Sequence, residues 1–208
     1  MSSTPTRRGS RTRAGTVEQV VFTTVERLLA GGETFTGLGV QRIAEEAGIA
    51  RSTFYVHFPD KNALLMRLAE SATSGVFTEA ERWVREEDPE GLTSLERQTR
   101  VMLAQHRRHA PALQALAEVA AYDREVAEFW RAKVDHFAGV LRERLERGQA
   151  RGEVPAELDP EVTSQFVAWG TERIVAVHIA VDDGSGDERL ADGIARALWT
   201  TLHPPAAG

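Results

Sequence analysis

The chain has 208 residues, 42% hydrophobic and 27% charged, the balance of a folded protein and not of a disordered or fibrous one. It contains no cysteine, which excludes a disulfide framework, a thiolate metal site and a cysteine nucleophile, and no apolar run approaches the roughly 20 residues of a membrane-spanning helix. The net charge of −6 is unevenly spread: residues 1–67 hold nine Lys/Arg against six Asp/Glu, leaving sixteen against twenty-five for the remainder. A basic first third joined to an acidic body suits one end that faces phosphate and another that avoids it, with chance scatter as the plain alternative.

Met1 to Gly15 sets Arg7, Arg8, Arg11 and Arg13 among Ser, Thr and Gly, with too little apolar surface to repay ordering. Residues 1–15 therefore read as a disordered basic arm, either a solvated tail or a segment that tracks phosphates or a minor groove. It lacks the apolar core of a secretory signal, so the expected compartment is the cytoplasm. Helical periodicity begins at Thr16, where Thr16-Val17-Glu18-Gln19 has the form of a capping box and Val17, Val20, Val21, Val25, Leu28 and Leu29 share one face. Gly31-Gly32 ends that helix.

A short helix is predicted over Val40 to Ala47, a turn at Gly48, and a further short helix from about Ala50 to His57. Pro59-Asp60 breaks the chain and caps a long helix to about Glu87. Beyond Pro89-Glu90-Gly91, Leu92, Leu95, Thr99, Met102, Leu103 and His106 form one stripe; Pro111 opens a short helix and Asp123 caps a long one that stops near Gly148, Gly152 and Pro155. Asp159-Pro160 restarts the chain into an apolar helix to about Val181, and Leu190, Ile194, Ala197, Leu198 and Leu202 line a last one. No alternating strand appears, which disfavours winged-helix and α/β readings. The fold class expected is all-α.

Residues 40–61 carry the chemistry. Ala44 is small enough for two helices to cross closely, Gly48 supplies the turn, and Ile49, Phe54 and Phe58 fix the second helix, the logic of a helix-turn-helix. That second helix then presents Arg51, Ser52, Thr53, Tyr55 and His57, side chains suited to phosphate oxygens and base edges in a major groove. Three short core helices with no nucleic-acid role are the bland alternative.

The spacing Ile43-Ala44, Ala47-Gly48-Ile49, Ser52-Thr53, Phe54-Tyr55, Phe58, Lys61 resembles the TetR family of bacterial repressors. One position departs from that pattern: Gly39 stands where the family often caps the helix with Ser or Thr. The resemblance implies that Arg51, Ser52, Thr53, Tyr55 and His57 face DNA and that Lys61 binds phosphate, with Arg42 as a further phosphate candidate; Tyr55 could instead be core. It also implies a three-helix helix-turn-helix DNA-binding domain over 16–60. A helical effector-binding and dimerisation domain over 61–208 would follow, its last two helices pairing with a symmetry mate or else simply buried.

Val126-Ala127-Glu128-Phe129-Trp130, Glu172-Arg173 and Trp199 further resemble one branch of that family, the mycobacterial ethionamide-resistance repressors, which hold an elongated apolar pocket. Leu95, Met102, Trp130, Val134, Phe137, Trp169, Thr171 and Trp199 are the candidate pocket residues, each equally readable as ordinary core. The implied partners are double-stranded operator DNA, a second copy of the chain and a small hydrophobic effector, with no membrane and no cofactor. Such an effector would release the repressor by a population shift transmitted along the long helix after Asp60. A ligand-independent architectural DNA binder is the rival function. An all-helical enzyme lacks support: His57, His106, His109, His136, His178 and His203 have no metal-ligand spacing, and no catalytic triad or glycine-rich phosphate loop appears.

Overall fold

Val21, Val25 and Leu28 recur at helical spacing and are all but fully buried in the first helix, the amphipathic pattern of a helix with one face in a core. The computed structural model describes residues 8–86 and 90–203, with side chains from residue 17 onward. Among the described residues it has no strand and these helices in order: α1 (Arg8–Ala30), α2 (Val40–Glu46), α3 (Arg51–His57), α4 (Lys61–Arg85), α5 (Leu92–Arg108), α6 (Ala110–Ala120), α7 (Arg124–Ala150), α8 (Pro160–Val181) and α9 (Asp187–Leu202).

Caps fall where the sequence puts them. Asp60 accepts from Ala63 N at 2.7 Å, Asp123 from Val126 N at 3.0 Å, and Asp159 from Glu161 N at 2.9 Å, each answering a backbone donor that the first helical turn leaves free. The start of α1 differs from the sequence reading. The helix begins at Arg8, not Thr16, so part of the expected disordered arm is helical; arginine and alanine are good helix formers, and extending a nucleated helix costs far less than starting one. Met1 to Arg7 lies outside the described residues.

The core does not stop at a domain boundary. One cluster joins Val21, Val25, Ile43, Phe54 and Phe58 to Leu64, Leu65 and Leu68 at the start of α4, and continues into Leu116 and Val119 of α6 and Val126 of α7. A second gathers Trp83, Leu95, Val134, Leu141, Leu145 and Ala168, and a smaller third joins Leu103, Val175 and Ile194. α5 packs on α9, α7 on α8, and α4 on α5, α6 and α7. Helix α4 therefore has its first turns in the N-terminal core and its last turns in the body.

Candidate nucleic-acid interface and effector cavity

The turn between α2 and α3 is set by Gly48, whose φ of +66° is a left-handed conformation that glycine adopts without strain. Ile49 N donates to Ala44 O at 3.0 Å and Ala47 N to Ile43 O at 3.0 Å, so the end of α2 is closed by the turn itself. Beneath it Ile43, Ala44, Phe54 and Phe58 are buried, with Phe54 and Phe58 ring centroids 5.3 Å apart and Phe58 6.0 Å from Phe22 of α1. These contacts leave one side of α3 without cover.

That side carries Arg51, Ser52 and Tyr55, all exposed, with Thr53 half-buried at its edge. Arg51 reaches Tyr55 Oη at 3.3 Å and lies 5.6 Å from its ring centroid. Among the described side chains of residues 17–67, Arg51 is the cation with neither an acidic partner nor a carbonyl cluster to hold it. Arg42 reaches Glu46 at 3.1 Å and Glu33 at 3.9 Å, while Arg27 reaches Glu46 at 2.6 Å and Arg67 reaches Glu18 at 2.7 Å. Arg27 above all, and then Arg42, hold the Glu46 carboxyl below its ordinary range. Gly39 begins α2 with no side-chain cap. Val56, 80% exposed beside Tyr55, is a surface residue the sequence reading passed over; an apolar side chain there has the chemistry to meet a thymine methyl group.

Two expected DNA contacts face elsewhere. Lys61 donates through Nζ to the carbonyls of Phe35, Thr36 and Leu38 at 2.8, 3.1 and 3.0 Å, which uses all three of its protons inside the protein, and burial lowers its pKa. His57 has a side chain only 12% exposed and sits 3.6 Å from Glu18 of α1, turned away from the open side of α3. Helical periodicity explains the second case: His57 falls beside Phe54 and Phe58, whose side faces the core.

In the body, α4, α5, α7, α8 and α9 line a cavity of about 680 Å³, a size typical of sites for drug-sized ligands. Leu95, Met102, Trp130, Val134, Phe137 and Thr171 line it. Trp169 and Trp199 do not. Trp169 donates through Nε1 to Asp135 at 2.9 Å, and Trp199 stacks on His203 at 3.8 Å and covers Gly91, where a Cβ would come within 2.9 Å of its ring. The sequence reading missed Trp83, His106 and Glu172, which also line the cavity. Trp83 donates to Ser94 Oγ at 2.8 Å; it lies in an Arg- and Glu-rich stretch whose polar neighbours hide the apolar stripe. Burial, the largest influence, pushes the His106 imidazole below its ordinary range.

Elsewhere His178, Asp182 and Asp187 converge closely enough to hold a metal ion. Arg107 already occupies that cluster: its Nε and Nη2 reach Asp187 at 2.6 Å each, and Nη1 reaches the Asp182 carbonyl at 2.8 Å, while His178 Nε2 lies 2.8 Å from Asp187. The acidic charge is thus met by the protein, and the network ties α5 to the α8–α9 turn.

A helical body with a ligand-sized cavity is thus fused to a helix-turn-helix whose second helix stands open. Residues 29–68 match the family described as bacterial regulatory proteins, tetR family. It is 26% identical over 154 residues to the HTH-type transcriptional regulator EthR of Mycolicibacterium smegmatis, covering 72% of this chain and 70% of that one. The fold is shared with Bacillus subtilis FadR, solved in complex with stearoyl-CoA (TM-score 0.63, 18% identity, 89% of this chain and 99% of that one). It is shared too with the regulator PfmR of Thermus thermophilus (TM-score 0.61, 20% identity, 90% and 99%). Among the described residues no helix is long and apolar enough to cross a membrane.

Proposed function

We propose that the protein is a homodimeric repressor that reads a palindromic operator through α3 and is released when a small hydrophobic molecule fills the body cavity. The observation that carries this reading is the course of α4. Its Leu64, Leu65 and Leu68 belong to the core beneath α3, while Ser71, Phe77, Trp83 and Val84 on its later turns line the cavity. An occupant that changes how α4 sits would change how α3 is presented, and the shift it drives is limited by its differential affinity for the two arrangements. That Bacillus subtilis FadR holds stearoyl-CoA supports an elongated apolar ligand for this fold.

The dimer rests on α8. Val162, Phe166, Ile174, Val177 and Val181 are exposed along that helix at spacings of three, four and eight residues, and Phe166 and Val181 are 78% and 82% exposed in the single chain. An apolar stripe of this extent has the character of a self-complementary interface, and two linked α3 helices would match two half-sites of a palindrome. Selection of operator DNA from a random pool tests the reading. An enriched palindrome whose binding weakens steeply with salt, and weakens further in Arg51→Ala and Tyr55→Ala, is the expected result; no enrichment would refute it.

A further inference from the structure

The cavity has one wall whose chemistry its apolar character does not explain. Glu172 of α8, His106 of α5 and Trp130 of α7 line both the main cavity and a second one of about 420 Å³ beside α6 and α8. Glu172 Oε1 accepts from Trp130 Nε1 at 3.1 Å, and among the described residues the carboxylate pairs with no cation. His106 Nδ1 lies 2.9 Å from the Met102 carbonyl. A carbonyl only accepts, so the hydrogen-bond network assigns the imidazole hydrogen to Nδ1 and leaves a lone pair on Nε2, which has no protein partner among the described residues. Burial keeps this imidazole neutral at neutral pH.

At Glu172 and His106 the wall therefore offers two acceptors, while the Gln98 and Gln105 amides and the Thr171 hydroxyl are donors elsewhere on the main lining and Arg173 lines the second cavity. Trp130 spends its N–H on Glu172, and the nearby Thr99 hydroxyl donates to backbone carbonyls of its own helix. The arginines that line the cavity have their own acids: Arg82 reaches Glu79 at 2.6 Å and Arg97 reaches Glu90 at 2.9 Å. Arg97 is also nine residues from His106 along α5, about 13 Å of helix. A carboxylate or carbonyl pressed against Glu172 and His106 would find repulsion there; a protonated nitrogen would find a counter-charge and a lone pair in partly dry surroundings.

We infer that the effector is a lipophilic amine, an apolar body in the cavity with a protonated, hydrogen-bond-donating nitrogen against the Glu172 carboxylate and His106 Nε2. This rests on the proposed role of the cavity as the effector site and names the chemistry of its occupant.

The test compares three probes of one chain length, dodecylamine, dodecan-1-ol and dodecanoate, by calorimetric titration of the full-length protein and of Glu172→Gln. Glutamine keeps an oxygen to accept from Trp130, so the variant removes the charge and spares the wall; equal affinity of wild type and variant for dodecan-1-ol confirms that the cavity is intact. Dodecylamine is expected to bind wild type roughly tenfold or more tightly than the alcohol, the worth of a hydrogen bond to a charged group, and to lose that advantage in Glu172→Gln. Dodecanoate is expected to bind most weakly. Equal affinity for amine and alcohol, or an amine advantage that survives in Glu172→Gln, overturns the inference while leaving the effector cavity standing. Failure of all three probes to bind removes the cavity as an effector site, and the inference with it.

Discussion

Replacing Lys61 by methionine separates two roles that its place at the head of α4 allows. A phosphate contact would leave its charge free, whereas the structure spends it on the carbonyls of Phe35, Thr36 and Leu38 at 2.8, 3.1 and 3.0 Å. Methionine keeps most of the stem and removes the donors. Thr36 is exposed, so its carbonyl regains water, and the Phe35 carbonyl still accepts from Leu38 N at 3.3 Å; the carbonyl of Leu38, a residue 1% exposed, loses its partner, and a buried acceptor without one costs about 1–3 kcal/mol. Because Lys61 is itself only partly buried, solvent relieves some of that, and a total of about 1–2 kcal/mol follows from the lower half of the range. At about 2–4 °C per kcal/mol for a chain of this size, Tm falls by roughly 2–8 °C in thermal denaturation. Operator affinity measured over a salt series gives the second readout, whose slope stays as in wild type because no phosphate contact is lost. An unchanged Tm together with a slope shallower by about one would refute the assignment and restore Lys61 as a phosphate ligand.

Other outcomes follow from the same geometry. Arg51→Ala is expected to weaken operator binding by about 1–3 kcal/mol in anisotropy titrations with no loss of Tm, since the side chain touches only Tyr55. Phe166→Glu, placing a charge in the exposed stripe of α8, should shift the sedimenting species from dimer to monomer. Two glycines of α7 should respond oppositely to alanine. Gly139 has open space and gains up to about 1 kcal/mol of helix propensity, whereas a Cβ at Gly148 would come within 2.6 Å of buried Val154, a clash costing about 1–3 kcal/mol. Burial depresses the pKa of His106, so below its ordinary value of 6.5 the unfolded chain takes up a proton that the folded state refuses. Stability therefore falls as pH drops through that value and levels off beneath the folded pKa; a smaller loss of Tm in His106→Gln over the same interval checks the assignment.

The helices and the helix-turn-helix were legible because each depends on short-range rules: Asp60, Asp123 and Asp159 act within their own first turn, and Gly48 sets its own φ. The open side of α3 was legible for Arg51, Ser52 and Tyr55. What failed depends on partners far along the chain. Lys61 is held by carbonyls more than twenty residues earlier, and His57 turns toward Glu18 of another helix. The cavity divides the same way: Leu95, Met102 and Val134 sit on stripes that sequence period reveals, while Trp169 and Trp199 look identical to them until Asp135 and His203 are seen to hold them elsewhere.

Release by an effector requires coupling of the cavity to α3 through α4. The direct measurement is anisotropy of a labelled operator complex titrated with whichever dodecyl probe raises the Tm of the free protein, alongside Val134→Trp, which fills the cavity from its wall. Release of wild type over the concentrations that raise its Tm, with the variant insensitive to the probe, is the expected result. A probe that raises Tm while the operator stays bound would contradict it, and would make the cavity a ligand site with no hold on DNA.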